Sequence, residues 1–179
     1  MRISPYITVL DACVLFRCLS WIRSSDWLRS LRSIRPSGLP TFLQEVRKTL
    51  QGKCGYSPEQ VQRRIGAMEC TFPDAMVTEY EGLIPVMKND PKDRHVLAAA
   101  VKCGAHSIVS DNMKHFPTEA LSPYNMECLT ADDFMTHQYH LNPDAFISVL
   151  VEQASDIRWT LTQLISKHVP SLSKLIISH

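Results

Sequence analysis

Short apolar runs alternate along this chain with longer stretches of helical spacing. Tyr6-Ile7-Thr8-Val9-Leu10 is a β-rich apolar run ending at Asp11, which predicts a buried strand, the first and central one of a parallel sheet. A helix is expected from about Cys13 to Trp21. A second, short one is expected over Trp27, Leu28 and Leu31, in a stretch that closes on Pro36-Ser37-Gly38. Thr41 with Gln44 fits a capping box, and Phe42, Leu43, Val46 and Leu50 form the apolar stripe behind it. Ser57-Pro58-Glu59-Gln60 repeats the device ahead of Val61, Ile65 and Met68. The stretch from Ala75 to Met87 fits a short strand or a short helix.

The second half is easier to parse. Asp90-Pro91-Lys92-Asp93 starts the best-defined helix, with Asp90 as N-cap and Asp93 at the third helical position. Val96, Leu97, Ala100 and Val101 line one face, and Gly104 stops it. Ser107-Ile108-Val109-Ser110 and Met126-Glu127-Cys128-Leu129 read as strands, and Thr130-Ala131-Asp132-Asp133 caps a helix behind the latter. After a composition break near His137 to Asn142, Asn142-Pro143 caps what reads as one long helix to about His168. Its stripe is Ile147, Leu150, Ala154, Ile157, Leu161, Leu164 and Ile165, and Pro170 ends it. Strands alternating with helices predict an α/β sandwich around a parallel sheet over residues 1–141, with a helical C-terminal extension over 142–179.

Composition narrows the class. The 179 residues are 45% hydrophobic and 21% charged, ordinary for one globular domain with an appendage. No apolar run reaches the ~18 residues that span a bilayer, so no membrane is expected as a partner. Met1-Arg2-Ile3-Ser4-Pro5 does not resemble a secretory leader, so a cytoplasmic chain is expected. The six cysteines include no CxxC pair and read as reduced core residues, which argues against a zinc finger or a disulfide scaffold. With six glycines there is no GxGxxG or Walker pattern, which argues against a nucleotide-binding fold. Through Gly66 the chain carries 11 basic residues against 4 acidic; from Ala67 onward the count is 8 against 14. A basic flank beside an acidic site suits a nuclease that must attract phosphates and also hold cations. Arg23, Arg29, Arg32 and Arg35 of this flank are candidates for phosphates or an acidic partner segment, against a plain solvated face.

The candidate chemistry lies in four acids. Asp11 and Asp111 each follow a strand directly, where sites form in open α/β sheets. Asp93 lies one turn before Val96 and Leu97, and Glu45 stands beside Val46. Converging carboxylates repel unless a cation compensates, and Mg²⁺ or Mn²⁺ prefers such oxygen ligands. Asp11, Asp93 and Asp111 are the expected metal ligands, with Glu45 as the fourth catalytic acid.

The segments Asn89-Asp90-Pro91-Lys92-Asp93-Arg94-His95-Val96-Leu97-Ala98-Ala99-Ala100, Gly104-Ala105 and Ile108-Val109-Ser110-Asp111-Asn112-Met113-Lys114-His115-Phe116-Pro117 resemble PIN-domain proteins. More narrowly, they are similar to the VapC-type ribonuclease toxins of bacterial toxin–antitoxin pairs. Val9-Leu10-Asp11-Ala12 and Glu45-Val46-Arg47-Lys48-Thr49-Leu50 fall where that family has its first two motifs, and the last 38 residues are similar to the helical extension of one subgroup. The resemblance implies a PIN-like α/β/α sandwich and a metal-dependent endoribonuclease. It implies an RNA substrate and an antitoxin protein as partners, and a second copy of the chain is also among the expected partners. It maps the acids onto Asp11, Glu45 and Asp93, and the fourth position onto Asp111 or, alternatively, Asn112. Two positions depart from its pattern. Cys13 stands where a polar residue usually follows the first Asp, and His115 where an Asp commonly precedes the Phe. The alternative function is a non-catalytic PIN-fold module that binds protein or RNA. A small-molecule phosphatase is disfavoured, since Cys13 occupies the place of its second Asp.

Overall fold

The computed structural model describes residues 6–14, 34–37, 46–52, 55–71, 77–156 and 158–177. Strand β1 (Tyr6–Leu10) lies inside a four-stranded sheet of order β2-β1-β3-β4, with β2 at Ile34–Ser37, β3 at Ser107–Val109 and β4 at Glu127–Leu129. Every pairing is parallel: Tyr6 stands opposite Ile34, Thr8 opposite Ser107, and Ser107 opposite Glu127. Val9, Leu10, Ile108 and Val109 are buried, as expected of interior strands of a parallel sheet. Two buried hydroxyls in this apolar setting satisfy each other, Thr8 Oγ1 and Ser107 Oγ at 2.9 Å.

Helix α1 (Pro58–Thr71) opens with the expected capping box: Ser57 N–H donates to Gln60 Oε1 at 2.9 Å, and Gln60 N–H returns to Ser57 Oγ at 3.3 Å. Residues 46–52 are helical and bury Val46 and Leu50. The stretch that fits strand or helix contains a 3₁₀ helix at Glu81–Val86. Helix α2 (Arg94–Lys102) packs on β1, β3 and that 3₁₀ turn. Five consecutive residues, Val96 to Ala100, are buried, so the middle of the helix is enclosed on all sides, and the three alanines permit close approach. Gly104, at φ +66°, turns the chain out of it. A short α3 (Thr118–Leu121) precedes β4.

Helices α4 (Ala131–Leu141), α5 (Pro143–Asp156), α6 (Leu161–His168) and α7 (Pro170–Ile177) follow. Thr130 caps α4 by accepting from Asp133 N–H at 3.1 Å, and Asn142 caps the next helix by accepting from Ala145 N–H at 3.1 Å. Helix α7 packs on α4 and α6, and Ser171 N–H donates to the Asp132 carboxylate at 3.0 Å. Phe146, Leu150, Leu164, Ile165 and Leu172 belong to the same apolar cluster as the strands. Among the described residues no helix is long and apolar enough to cross a membrane.

Three expectations are corrected. The long helix to His168 is broken after α5: Trp159 N–H donates to Ala154 C=O at 2.8 Å and Arg158 N–H to Ser155 C=O at 3.0 Å, a Schellman closure with Arg158 at φ 57°. Thr160 and Gln163 then form a new capping box that starts α6. Pro170 does not merely end a helix but occupies the first position of α7, where its missing N–H costs nothing. Pro36 lies in a strand, where the expectation is a short helix in a stretch closing on Pro36-Ser37-Gly38; among the described strands β2 stands at the edge, where a proline is tolerated. The expected helix over Trp27 to Leu31, with Arg23, Arg29 and Arg32, falls outside the described residues, as do Phe42 and Leu43.

Candidate active site at the carboxyl end of the sheet

Asp11 leaves β1 at its carboxyl end. Its backbone N–H donates to Val109 C=O at 2.9 Å, and its C=O accepts from Val14 N–H at 3.0 Å, so the strand passes directly into a helical turn. The side chain is only 6% exposed. Its Oδ2 accepts from Ser110 Oγ at 2.5 Å and from Cys13 Sγ at 3.2 Å. Ser110 is fully buried, anchored by its own N–H on Leu129 C=O at 3.0 Å, and its Oγ also accepts from Asn112 N–H at 3.0 Å. No Lys, Arg or His among the described residues pairs with Asp11. A buried carboxylate whose described donors are all neutral would be favoured by a cation beside it.

The same charge is felt by the neighbouring thiols. Burial, then the Asp11 charge, pushes Cys13 up to about 12; an N–H of the Asp111 backbone opposes this without cancelling it. Cys128 is likewise pushed up to about 12, by burial first and then by Asp11. Both are thiols at neutral pH.

Asp93 stands one residue before α2, as its N-cap rather than at the third helical position. Asp90 instead shapes the preceding turn: its Oδ1 accepts from Lys92 N–H at 2.9 Å and its C=O from Asp93 N–H at 2.9 Å. Asp93 makes no capping bond with its side chain. Its Oδ2 lies 2.6 Å from His115 Nδ1, with the carboxylate 16% exposed. His115 Nε2 is 4.0 Å from Asp90 Oδ2, and Asp90 N–H donates to His115 C=O at 3.2 Å. Next to this turn Asn89 is buried with neither polar side-chain atom satisfied, while its C=O accepts from Arg94 Nε at 3.4 Å.

Asp11 and Asp93 are therefore both fastened to the loop after β3, one through Ser110 and the other through His115. Asp111 and Asn112 stand in that loop with exposed side chains; Asn112 C=O accepts from His115 N–H at 2.8 Å. Among the described residues no three His, Cys, Asp or Glu side chains gather closely enough to hold a metal ion. Glu45 lies outside the described residues, and of the four arginines only the backbone of Arg35, in β2, lies within them. The oxygen donors Asp11 and Asp93 fit a hard divalent cation; the Cys13 thiol does not.

Sequence reasoning missed Ser110 and the pairing of His115. Ser110 reads as the last strand residue, and its signal was its place between an apolar run and Asp111. His115 was singled out only as a departure; its signal was an ionisable ring next to Phe116, which is buried.

No family model matches the chain, and no solved structure matches it. The chain is 49% identical over 72 residues to a protein of Mycobacterium tuberculosis named "Putative ribonuclease VapC50". That stretch is 40% of this chain and spans 43% of the relative, so it covers less than half of either, and within it this chain is similar to a protein that bears a ribonuclease's name.

Proposed function

We propose that this protein is a metal-dependent endoribonuclease of PIN-like α/β/α architecture, the toxin of a toxin–antitoxin pair. The observation that carries the reading is Asp11: a buried carboxylate beyond an interior strand of a parallel sheet, held by Ser110 and Cys13 with no described cation beside it. The similarity to VapC50 supports the same reading. Asp11, Asp93 and Asp111 would hold Mg²⁺ or Mn²⁺, with Glu45 as a further acid and Asn112 as the alternative to Asp111. Such an ion, when bound, activates water and offsets charge on a phosphodiester. The chain's own part is to fix the carboxylates: Ser110 and Cys13 hold Oδ2 of Asp11 before substrate arrives. Arg23, Arg29, Arg32 and Arg35 are assigned to RNA phosphates, giving salt-dependent binding. An antitoxin protein and a second copy of the chain are the proposed protein partners, the cytoplasm the proposed location, and 1–141 and 142–179 the nuclease domain and its extension.

The second reading, a non-catalytic module that binds RNA or protein, is favoured by Cys13, a thiol where a hard cation would be served by oxygen. One assay separates them: cleavage of RNA with and without Mn²⁺ by the wild type and by Asp11→Asn and Asp93→Asn, with circular dichroism in parallel. The nuclease reading expects Mn²⁺-dependent cleavage that both substitutions abolish in folded protein. Cleavage by Asp11→Asn at the wild-type rate overturns it, and RNA binding without cleavage by the wild type establishes the module.

A further inference from the structure

We infer that His115 is the positioning residue of Asp93, and that Ser110 to His115 form one clasp setting both acids; this rests on the nuclease reading above. Bonds converge on His115 from three directions. Its Nδ1 meets Asp93 Oδ2 at 2.6 Å, its N–H donates to Asn112 C=O at 2.8 Å, and its C=O accepts from Asp90 N–H at 3.2 Å. One residue thus ties the turn carrying Asp90 and Asp93 to the loop after β3, by backbone and side chain together. At the other end of the clasp, Ser110 holds Asp11 and also accepts from Asn112 N–H.

Asp93 occupies a helix N-cap, where an aspartate ordinarily accepts from an N–H of the first turn. It makes no such bond, and its Oδ2 goes to His115 instead. A carboxylate accepts, so Nδ1 carries the hydrogen, and the short separation is that of a charge-assisted bond. With Oδ2 held, Oδ1 is the oxygen His115 leaves for another partner. A divalent cation that keeps several waters needs few carboxylate oxygens, held in place beforehand. Loss of a residue that orients a ligand in this way typically costs about 10–100-fold in metal affinity.

The test is Mn²⁺ binding by the full chain, read by electron paramagnetic resonance of free Mn²⁺, so that no turnover is needed. His115→Ala should weaken binding about 10-fold or more, as loss of a ligand's orienting partner does. His115→Asn, whose amide nitrogen falls near the place of Nδ1, should restore most of the affinity. His115→Gln, whose nitrogen falls near the place of Nε2, should not. A second readout is the nitrogen spectrum of the His115 ring in metal-free wild type, expected to show a hydrogen on Nδ1; a bare Nδ1 overturns the inference, even if His115→Ala fails to fold. Asp93→Asn controls the premise. If it leaves Mn²⁺ binding unchanged, the assignment of Asp93 as a ligand falls and the inference with it. If it abolishes binding while His115→Ala does not weaken it, or Asn and Gln behave alike, only the role of His115 falls.

Discussion

The two ends of the parallel sheet carry similar side chains in opposite settings. At the carboxyl end an aspartate meets a serine hydroxyl and a thiol, buried beneath the loop after β3. At the amino end Tyr6 OH donates to Glu127 Oε1 at 3.0 Å, the Tyr6 ring stacks on His106 with centroids 4.9 Å apart, and Ile7 N–H donates to His106 Nδ1 at 3.1 Å. Tyr6 is 40% exposed and Glu127 is exposed too. Water solvates the Glu127 carboxylate and nothing there demands a cation. Asp11 has lost that water and gained only neutral donors among the described residues. Burial, more than residue type, separates a carboxylate with chemical potential from one that decorates a surface.

The largest contrast should appear in cleavage. Asp11→Asn should reduce Mn²⁺-dependent RNA cleavage to background, while Glu127→Gln leaves it at the wild-type rate; equal losses would erase the distinction between the two ends. Next comes the thiol beside Asp11. With Cys13 pushed up to about 12, its thiolate is scarce at pH 8, and iodoacetamide should modify it roughly a thousandfold more slowly than an ordinary cysteine of pKa ~8.5. The rate should climb about tenfold per pH unit until the pH nears that pKa. Asp11→Asn removes a nearby negative charge, so Cys13 should ionise more readily and react faster, as peptide mapping by mass spectrometry can read.

A smaller effect is expected from Ser110→Ala. It deletes a hydrogen bond to a buried charged group and should cost about 1.5–3 kcal/mol in urea unfolding at pH 7. The cost should shrink in an Asp11→Asn background, because the two residues share one bond. Smallest is Tyr6→Phe, whose hydroxyl meets Glu127 in solvent; it should move stability by no more than about 0.5 kcal/mol in the same assay.

Much of this arrangement is legible in the residues because local signals and tertiary packing agree. The apolar run before Asp11, Gly104 and the caps at Ser57 and Thr130 each act within one turn of chain, and the fold keeps them. Strand β2 was hidden because it exists only by pairing with β1, and Pro36 argues locally against it. The break at Arg158 was hidden because an unbroken apolar stripe passes across it. What overrides the stripe is a polar signal, the cap at Thr160 and Gln163, which a reading by hydrophobic spacing skips. The acids of the site could be named one by one. Their holders could not, because Ser110 meets Asp11 across 99 positions of sequence and His115 meets Asp93 across 22.

That separation of 99 positions also bears on how the protein comes into being. Strand β1 is made about a hundred residues before its neighbour β3 and the serine that holds Asp11. At roughly 5–20 residues per second, a ribosome needs on the order of 5–20 s to close that gap. Contacts of such span are late and slow to form, since the loop must close before any bond rewards it. A growing chain therefore carries Asp11 without its clasp until β3 has emerged and paired. In biosynthetic terms the Asp11 carboxylate is held only after about a hundred further residues have been made, and a chain released before Ser110 cannot form this bond.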